Sequence, residues 1–431
     1  MLLAGGALVL AGCAERKRPT IRSQDDDSPR GRFRALLERR TKALNDGDEA
    51  GYLADLDQSN KELVERERMV FANLAQFEFE ELRYIDAGIM EETDGDSTLF
   101  QPVTRIVKLK ADAGPGEIAP AESFSFRVVD QGGKLVVTDI VAATRSTMEK
   151  LRFSGPHGTA PWLTDKLRVV KASGDVWLVA DETVRDLDKY VDATGQQIDF
   201  VERLWGDRPK FPGHVLFFTR DAGNFKQWYD FGSAGNFNPD VLGIQVPLWG
   251  VKKDGRYYEG QFAGARIVVN LGSIEAGNTP PSLTIRHELA HAISSRARLA
   301  GSAFSAPTWA IEGFARYTET IDNPSRASAV RRHAASGVRA GKFRGRPPAD
   351  DDFYGKDVGY HYSLGATVFL MAERVGGKEA AVELYATAID TIDAGGQFLE
   401  FPRFDAISQR IFGISGPAFR DRWRSFVRNG G

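Results

Sequence analysis

The chain has 431 residues, of which 42% are hydrophobic and 10% are aromatic. A chain of this length exceeds what one ordinary hydrophobic core accommodates, so the sequence predicts two globular domains. Its hydrophobic content excludes a largely disordered chain. The formal net charge of -3 and the pI of about 6.2 provide no excess of positive charge for binding phosphates, so nucleic acid is not expected as a partner.

Residues 1–13 form a short apolar run that ends in the sequence LAGC, whose Cys13 is the only cysteine of the chain. The run is too short for an ordinary spanning helix, which needs about 20 residues. It resembles the lipobox of bacterial lipoproteins, and this resemblance implies cleavage before Cys13 and lipidation of its thiol. We therefore expect an extracytoplasmic protein that is attached to the membrane by a lipid anchor on Cys13. Residues 14–31 are charged and lack apolar periodicity, which predicts a flexible tether.

Residues 32–150 change from helical to strand periodicity. Apolar residues recur at helical spacing from Phe33 to Val70, and after Gln76 the period shortens to two. Helices followed by antiparallel strands predict an α+β domain in which a curved sheet folds over the helices. This arrangement resembles the nuclear-transport-factor-two-like cone, a family in which this domain is more often a binding or spacer module than an enzyme.

Residues 151–165 contain closely spaced glycines and prolines, which predicts a linker before a second domain over residues 166–431. Apolar spacing in that domain predicts a strand, a long helix, a second strand, a loop and a third strand. Their expected ranges are 176–180, 183–204, 215–219, 232–249 and 266–270.

The sequence TPPSLTIRHELAHAI predicts a helix with Thr279 as its N-cap and Pro280 at its first position. His287 and His291 are four residues apart, so their rings lie on one face and can share a tetrahedral metal ion. Glu288 is turned about 100 degrees around the axis, so it flanks the ion as a general base instead of coordinating it.

A third metal ligand is expected from Glu312, in the sequence PTWAIEGFARY, which lies 21 residues beyond His291. Catalytic zinc sites use three protein ligands and leave the fourth position to water, and two histidines with one carboxylate form such a set. Gly313 directly follows Glu312, and glycine lowers the stability of a helix. Its presence here indicates that another helix approaches closely near the metal.

HELAH followed by WAIEGFA resembles the gluzincin clan of zinc metallopeptidases, close to the lineage called peptidase MA-like, over residues 166–431. This resemblance implies a mixed sheet with the HExxH helix and then an all-helical C-terminal part. It also implies Zn²⁺ held by His287, His291 and Glu312, with Glu288 as base. Members bind the substrate along an edge strand, which the sequence places no more closely than residues 241–270.

The sequence YSLGATVFLMAERVGG is similar to the stretch after the catalytic tyrosine of aminopeptidase N-type members. This similarity implies that Tyr362 donates a hydrogen bond to the oxyanion. Tyr360 is the alternative donor, and the non-catalytic alternative is a tyrosine that packs with its hydroxyl at the surface. Glu319 lies seven residues after Glu312, so it either orients a ligand histidine or is a solvated glutamate.

These residues predict a membrane-anchored zinc metallopeptidase that hydrolyses peptide or protein substrates through water activated by zinc and Glu288. The exopeptidase motif GxMEN of aminopeptidase N-type enzymes has no match upstream, which favours an endopeptidase. The alternative is a non-catalytic surface lipoprotein that binds peptides, cell-wall material or a protein partner on the same scaffold.

Overall fold

The computed structural model describes residues 28–230, 241–300, 306–391 and 397–431. Cys13 and residues 14–27 of the expected tether lie outside these ranges. None of the helices in the described ranges combines the length and apolar character that crossing a bilayer requires.

Helices and strands are numbered in chain order. The helices are α1 (Pro29–Asp46), α2 (Glu49–Leu53), α3 (Lys61–Leu74), α4 (Arg145–Leu151), α5 (Val191–Trp205), α6 (Ala222–Gln227), α7 (Leu271–Ala276), α8 (Pro281–Ser295), α9 (Thr308–Thr318), α10 (Pro324–Arg339), α11 (Asp350–Phe353), α12 (Val358–Ile389), α13 (Phe404–Phe412) and α14 (Gly416–Asn429). The strands are β1 (Phe79–Asp94), β2 (Ser97–Leu109), β3 (Ala119–Gln131), β4 (Lys134–Ala142), β5 (Arg168–Lys171), β6 (Val176–Ala180), β7 (His214–Thr219), β8 (Gly243–Val251), β9 (Tyr257–Asn270) and β10 (Leu299–Ala300).

In the part of the chain that the structure describes, one ten-stranded sheet runs in the order β1-β2-β3-β8-β9-β7-β6-β5, with β4 beside β3 and β10 beside β9. β7 is parallel to both β6 and β9, whereas the other pairs are antiparallel. From α9 onward the described chain contains helices and no strand. The predicted α+β class, with a mixed sheet and a helical C-terminal part, is confirmed.

The strands β6 and β7 and the C-terminal end of β9, residues 266–270, are buried on both faces. In β6, Val176, Leu178 and Ala180 belong to one apolar cluster, and Trp177 and Val179 belong to another. Helix α8 packs on β8 and β9, and α5, α9 and α12 belong to the same apolar cluster, while α3 and α6 contribute to the cover of the second face. Coverage on both faces explains why these strands are continuous apolar runs in the sequence. Helix α8 therefore lies between the sheet and the helices α5 and α9.

Residues 151–165, predicted as a linker, contain a tryptophan that is buried between α3 and the sheet. Trp162 is 1% exposed and lies in the cluster that joins α3 to the sheet. Its indole nitrogen donates a hydrogen bond to Glu122 Oε1 at 2.7 Å. A buried ion pair also joins Asp112 to Arg266 of β9. The two carboxylate oxygens of Asp112 lie 2.7 and 2.8 Å from the two terminal nitrogens of Arg266, and both side chains are fully buried.

Helix α1 begins at Pro29, inside the segment expected to be a flexible tether. Ser28 is its N-cap and accepts a hydrogen bond from the Gly31 backbone nitrogen at 2.9 Å, and Pro29 fits the first helical position. The tether prediction is therefore wrong for residues 29–31.

The loop predicted for residues 232–249 is wrong from Gly243 onward, where β8 begins. The glycines and Pro247 suggested irregular chain, but β8 pairs with β9 along its length and meets β3 only at Gly250 and Val251. Within the described ranges, the other edge of residues 243–249 has no strand partner. Proline is tolerated on such an edge because its missing N–H is not needed there.

Candidate metal centre

Helix α8 carries both histidines of the HELAH motif. Its N-cap is Pro280 and its first residue is Pro281, one position later than the sequence predicted, and proline suits this first turn since its nitrogen needs no partner there. Residues four apart share a helix face. The rings of His287 and His291 lie 4.9 Å apart between centroids and at 84° to each other.

Helix α9 brings Glu312 to the same point. Its Oε2 lies 3.3 Å from Nε2 of His287 and 3.3 Å from Nε2 of His291, and ligand atoms from all three residues lie within 4.8 Å of one another. The expected close helix contact is confirmed, since a Cβ on Gly313 would stand 2.5 Å from the carbonyl carbon of Gly365 in α12. The glycine pair lets α9 sit directly on α12.

The electrostatics of these three residues favour a cation. Burial lowers the pKa of His287, but hydrogen bonds to Glu312 and Glu319 outweigh this and raise it to about 10. Burial would raise the pKa of Glu312, yet the neighbouring His291 and His287 hold it well below its usual range. Two imidazole nitrogens and one carboxylate oxygen form the donor set of a three-ligand zinc site, so these side chains fit that metal.

Glu288 lies beside the three potential ligands and faces β8. It is 5% exposed, and burial raises the pKa of its carboxyl above the ordinary value, although the nearby histidines and a backbone hydrogen bond from Gln245 oppose the rise. Gly243 makes this contact possible, because a Cβ there would stand 3.0 Å from Cγ of Glu288. A buried carboxylate with a raised pKa is suited to accept a proton and return it.

Glu319 is buried and contacts the back of His287. Its Oε1 lies 2.9 Å from His287 Nδ1, and its Oε2 accepts hydrogen bonds from Arg316 Nη1 at 2.7 Å and Arg326 Nε at 3.0 Å. Burial raises the pKa of Glu319, but these partners lower it to about 2, so the carboxyl is ionised and can only accept. His287 Nδ1 therefore donates its hydrogen to Glu319, and Nε2, which faces Glu312, is the nitrogen that would bind a metal once it has lost its proton. The geometry is that of an orienting residue.

The two tyrosines considered for the oxyanion lie in different surroundings. The Tyr362 ring lies 5.8 Å from that of His287, and burial together with the charge of Glu312 raises the pKa of its hydroxyl. Tyr360 is turned away and packs against α10, where a Cβ on Gly337 would stand 2.0 Å from its ring. Tyr362 is thus the one placed beside the histidines.

Sequence reasoning missed two residues that contact α9. Tyr354 donates a hydrogen bond to Glu312 Oε1 at 2.6 Å. Asp350 accepts a hydrogen bond from the Thr308 backbone nitrogen at 2.7 Å. The acidic run of residues 350–352 lies in the first turn of α11, and no local signal in the sequence indicates that Asp350 contacts the start of α9. No spacing rule singles out Tyr354.

Comparison with known proteins leaves the family open. No protein-family model matches the chain, and no curated protein matches it. Among solved structures, an M1 zinc metallopeptidase from Deinococcus radiodurans matches with 13% identity and a TM-score of 0.35, over 74% of this chain and 62% of that one. A protein of unknown function from Mycobacterium tuberculosis matches with 17% identity and a TM-score of 0.21, over 28% of this chain and 74% of that one. At TM-scores this low, neither similarity assigns a function.

Proposed function

We propose that the protein is a zinc-dependent peptidase that cleaves within peptide or protein chains. The observation that carries the proposal is the convergence of His287 Nε2, His291 Nε2 and Glu312 Oε2, with the buried carboxylate of Glu288 beside them. A structural zinc site would use four protein ligands, whereas three ligands next to a base match a hydrolytic site.

When bound, zinc would polarise a peptide carbonyl and acidify the water that attacks it. Glu288 accepts the proton from this water and then passes it to the leaving amine, a role for which its raised pKa is suited. The Tyr362 hydroxyl donates a hydrogen bond to the oxyanion as negative charge develops on the carbonyl oxygen.

The edge of β8 is the proposed substrate-binding strand. Residues 243–249 have one edge without a strand partner in the described chain, and this strand contacts α8 at Glu288. An extended peptide can add to such an edge through backbone hydrogen bonds. Gly243 brings the strand close enough for a scissile bond to lie beside Glu288.

The proposed location is outside the cytoplasm, at the membrane. It rests on the apolar run before Cys13 and on the lipobox that this segment resembles. Replacing Cys13 with Ser should release the protein from the membrane fraction of its host.

The test of the activity is digestion of a mixed peptide library by zinc-loaded protein. Wild-type protein should cleave internal bonds, a chelator should stop cleavage, and Glu288→Gln should keep the metal and lose turnover. Undiminished cleavage by Glu288→Gln would refute the role of Glu288. Bound zinc without any cleavage by the wild type would favour the non-catalytic binding protein.

A further inference from the structure

The two oxygens of Glu312 have different partners. Oε2 is equidistant, at 3.3 Å, from the Nε2 atoms of His287 and His291. Oε1 accepts a hydrogen bond from the Tyr354 hydroxyl, with 2.6 Å between the two oxygens. This length is typical of a hydrogen bond from a hydroxyl to a carboxylate oxygen.

The backbone that carries Tyr354 is fixed to the helix that carries Glu312. Helix α9 has Pro307 at its N-cap, whose side chain makes no capping hydrogen bond. Asp350 of α11 substitutes for it by accepting the Thr308 N–H at 2.7 Å, so α11 is joined to the start of α9.

Phe353 provides the second attachment. It is fully buried, and its ring lies 5.1 Å from that of Tyr354 and 5.3 Å from that of Tyr362. The Tyr354 residue itself is 63% exposed. Most of the Tyr354 surface is in solvent, yet its hydroxyl bonds to a buried carboxylate. The attachment of its backbone to α9, and not burial of the ring, therefore places this hydroxyl.

We propose that Tyr354 is a positioning residue that keeps Glu312 bound to the metal through one oxygen. A carboxylate can coordinate zinc through one oxygen or both, and a hydrogen bond to Oε1 competes with the second mode for the electrons of that oxygen. One coordination position then stays open for water and substrate. The inference rests on the proposed function, because it presumes that Glu312 is a metal ligand.

The experiment measures zinc affinity by competition with a chromophoric chelator and the visible spectrum of the cobalt-substituted protein. Tyr354→Phe removes the hydroxyl and leaves the exposed ring, so the fold should persist. We expect zinc affinity to fall about 10-fold to 100-fold, as is typical when a residue that orients a metal ligand is lost. The cobalt absorption should weaken, because a second oxygen of Glu312 raises the coordination number.

Tyr360→Phe is the matched control. Its hydroxyl is buried without a hydrogen-bond partner in the described chain, and its ring packs on α10. Its zinc affinity and cobalt spectrum should equal those of the wild type. A second variant, Asp350→Ala, removes the acceptor of the Thr308 N–H while keeping the Tyr354 hydroxyl, and it should lower zinc affinity to a smaller degree.

The outcomes separate the two proposals. Wild-type zinc affinity and an unchanged cobalt spectrum in Tyr354→Phe would overturn the role of Tyr354 and leave the metal site standing. Failure of the wild-type protein itself to bind zinc or cobalt would overturn the proposed function, and this inference with it. A thermal unfolding curve of each variant, recorded without metal, shows whether a loss of affinity reflects unfolding.

Discussion

Replacing Glu319 with Gln should weaken metal binding while the protein stays folded. Glu319 is 3% exposed, and its Oε1 lies 2.9 Å from Nδ1 of His287, whose hydrogen it accepts. The amide keeps the shape but loses the charge, so it no longer holds the ring in one tautomer and orientation. Loss of such an orienting partner typically costs 10-fold to 100-fold in metal affinity. This corresponds to about 1.4 to 2.7 kcal/mol of binding free energy.

The stability cost of Glu319→Gln should be moderate. The side chains of its two cationic partners, Arg316 and Arg326, are 27% and 28% exposed, so water can partly replace the lost carboxylate. We expect a decrease of about 1 to 3 kcal/mol in the free energy of unfolding, the usual cost of leaving polar partners unsatisfied.

The assay is a zinc competition titration of the folded variant, beside chemical denaturation of the same sample without metal. The control is Glu379→Gln, which makes the same chemical change in an ion pair with Arg208, with the Glu379 side chain 75% exposed. The control should bind zinc as the wild type does. A zinc affinity of Glu319→Gln within twofold of the control would refute the orienting role.

Two further changes test the packing around the site. Asp112→Ala leaves the fully buried Arg266 without its bidentate partner and should lower the free energy of unfolding by about 3 to 5 kcal/mol in chemical denaturation. The control Glu117→Gln removes the charge from an exposed ion pair and should change the free energy of unfolding by under about 1 kcal/mol. Gly313→Ala places a methyl group against the Gly365 backbone and should lower stability by about 1 to 3 kcal/mol in the same assay; a neutral result would contradict the close packing of α9 on α12.

The sequence was most informative where one local rule decides the outcome. Four-residue spacing on an uninterrupted helix places His287 and His291 on one face whatever surrounds them. Seven-residue spacing likewise placed Glu319 on the face of Glu312, although only the tertiary structure distinguishes the buried glutamate from a solvated one.

The remaining features depend on contacts between distant segments. β8 exists because β9 offers it a long antiparallel partner, which outweighs the glycines and Pro247 within it. Trp162 lies in a segment full of turn residues, yet it is buried because α3 and the sheet close around it. Tyr354 reaches Glu312 through the attachment of α11 to α9, and no periodicity in the sequence encodes that contact.

The central claim is that His287, His291 and Glu312 hold one zinc ion together. X-ray absorption of the zinc-loaded protein tests it most directly, with His291→Ala as the comparison. The account predicts two imidazole nitrogens and carboxylate or water oxygen at about 2.0 to 2.2 Å, without sulfur, and loss of this signal in His291→Ala. Zinc that binds unchanged in His291→Ala, or a wild-type protein that binds none, would contradict it.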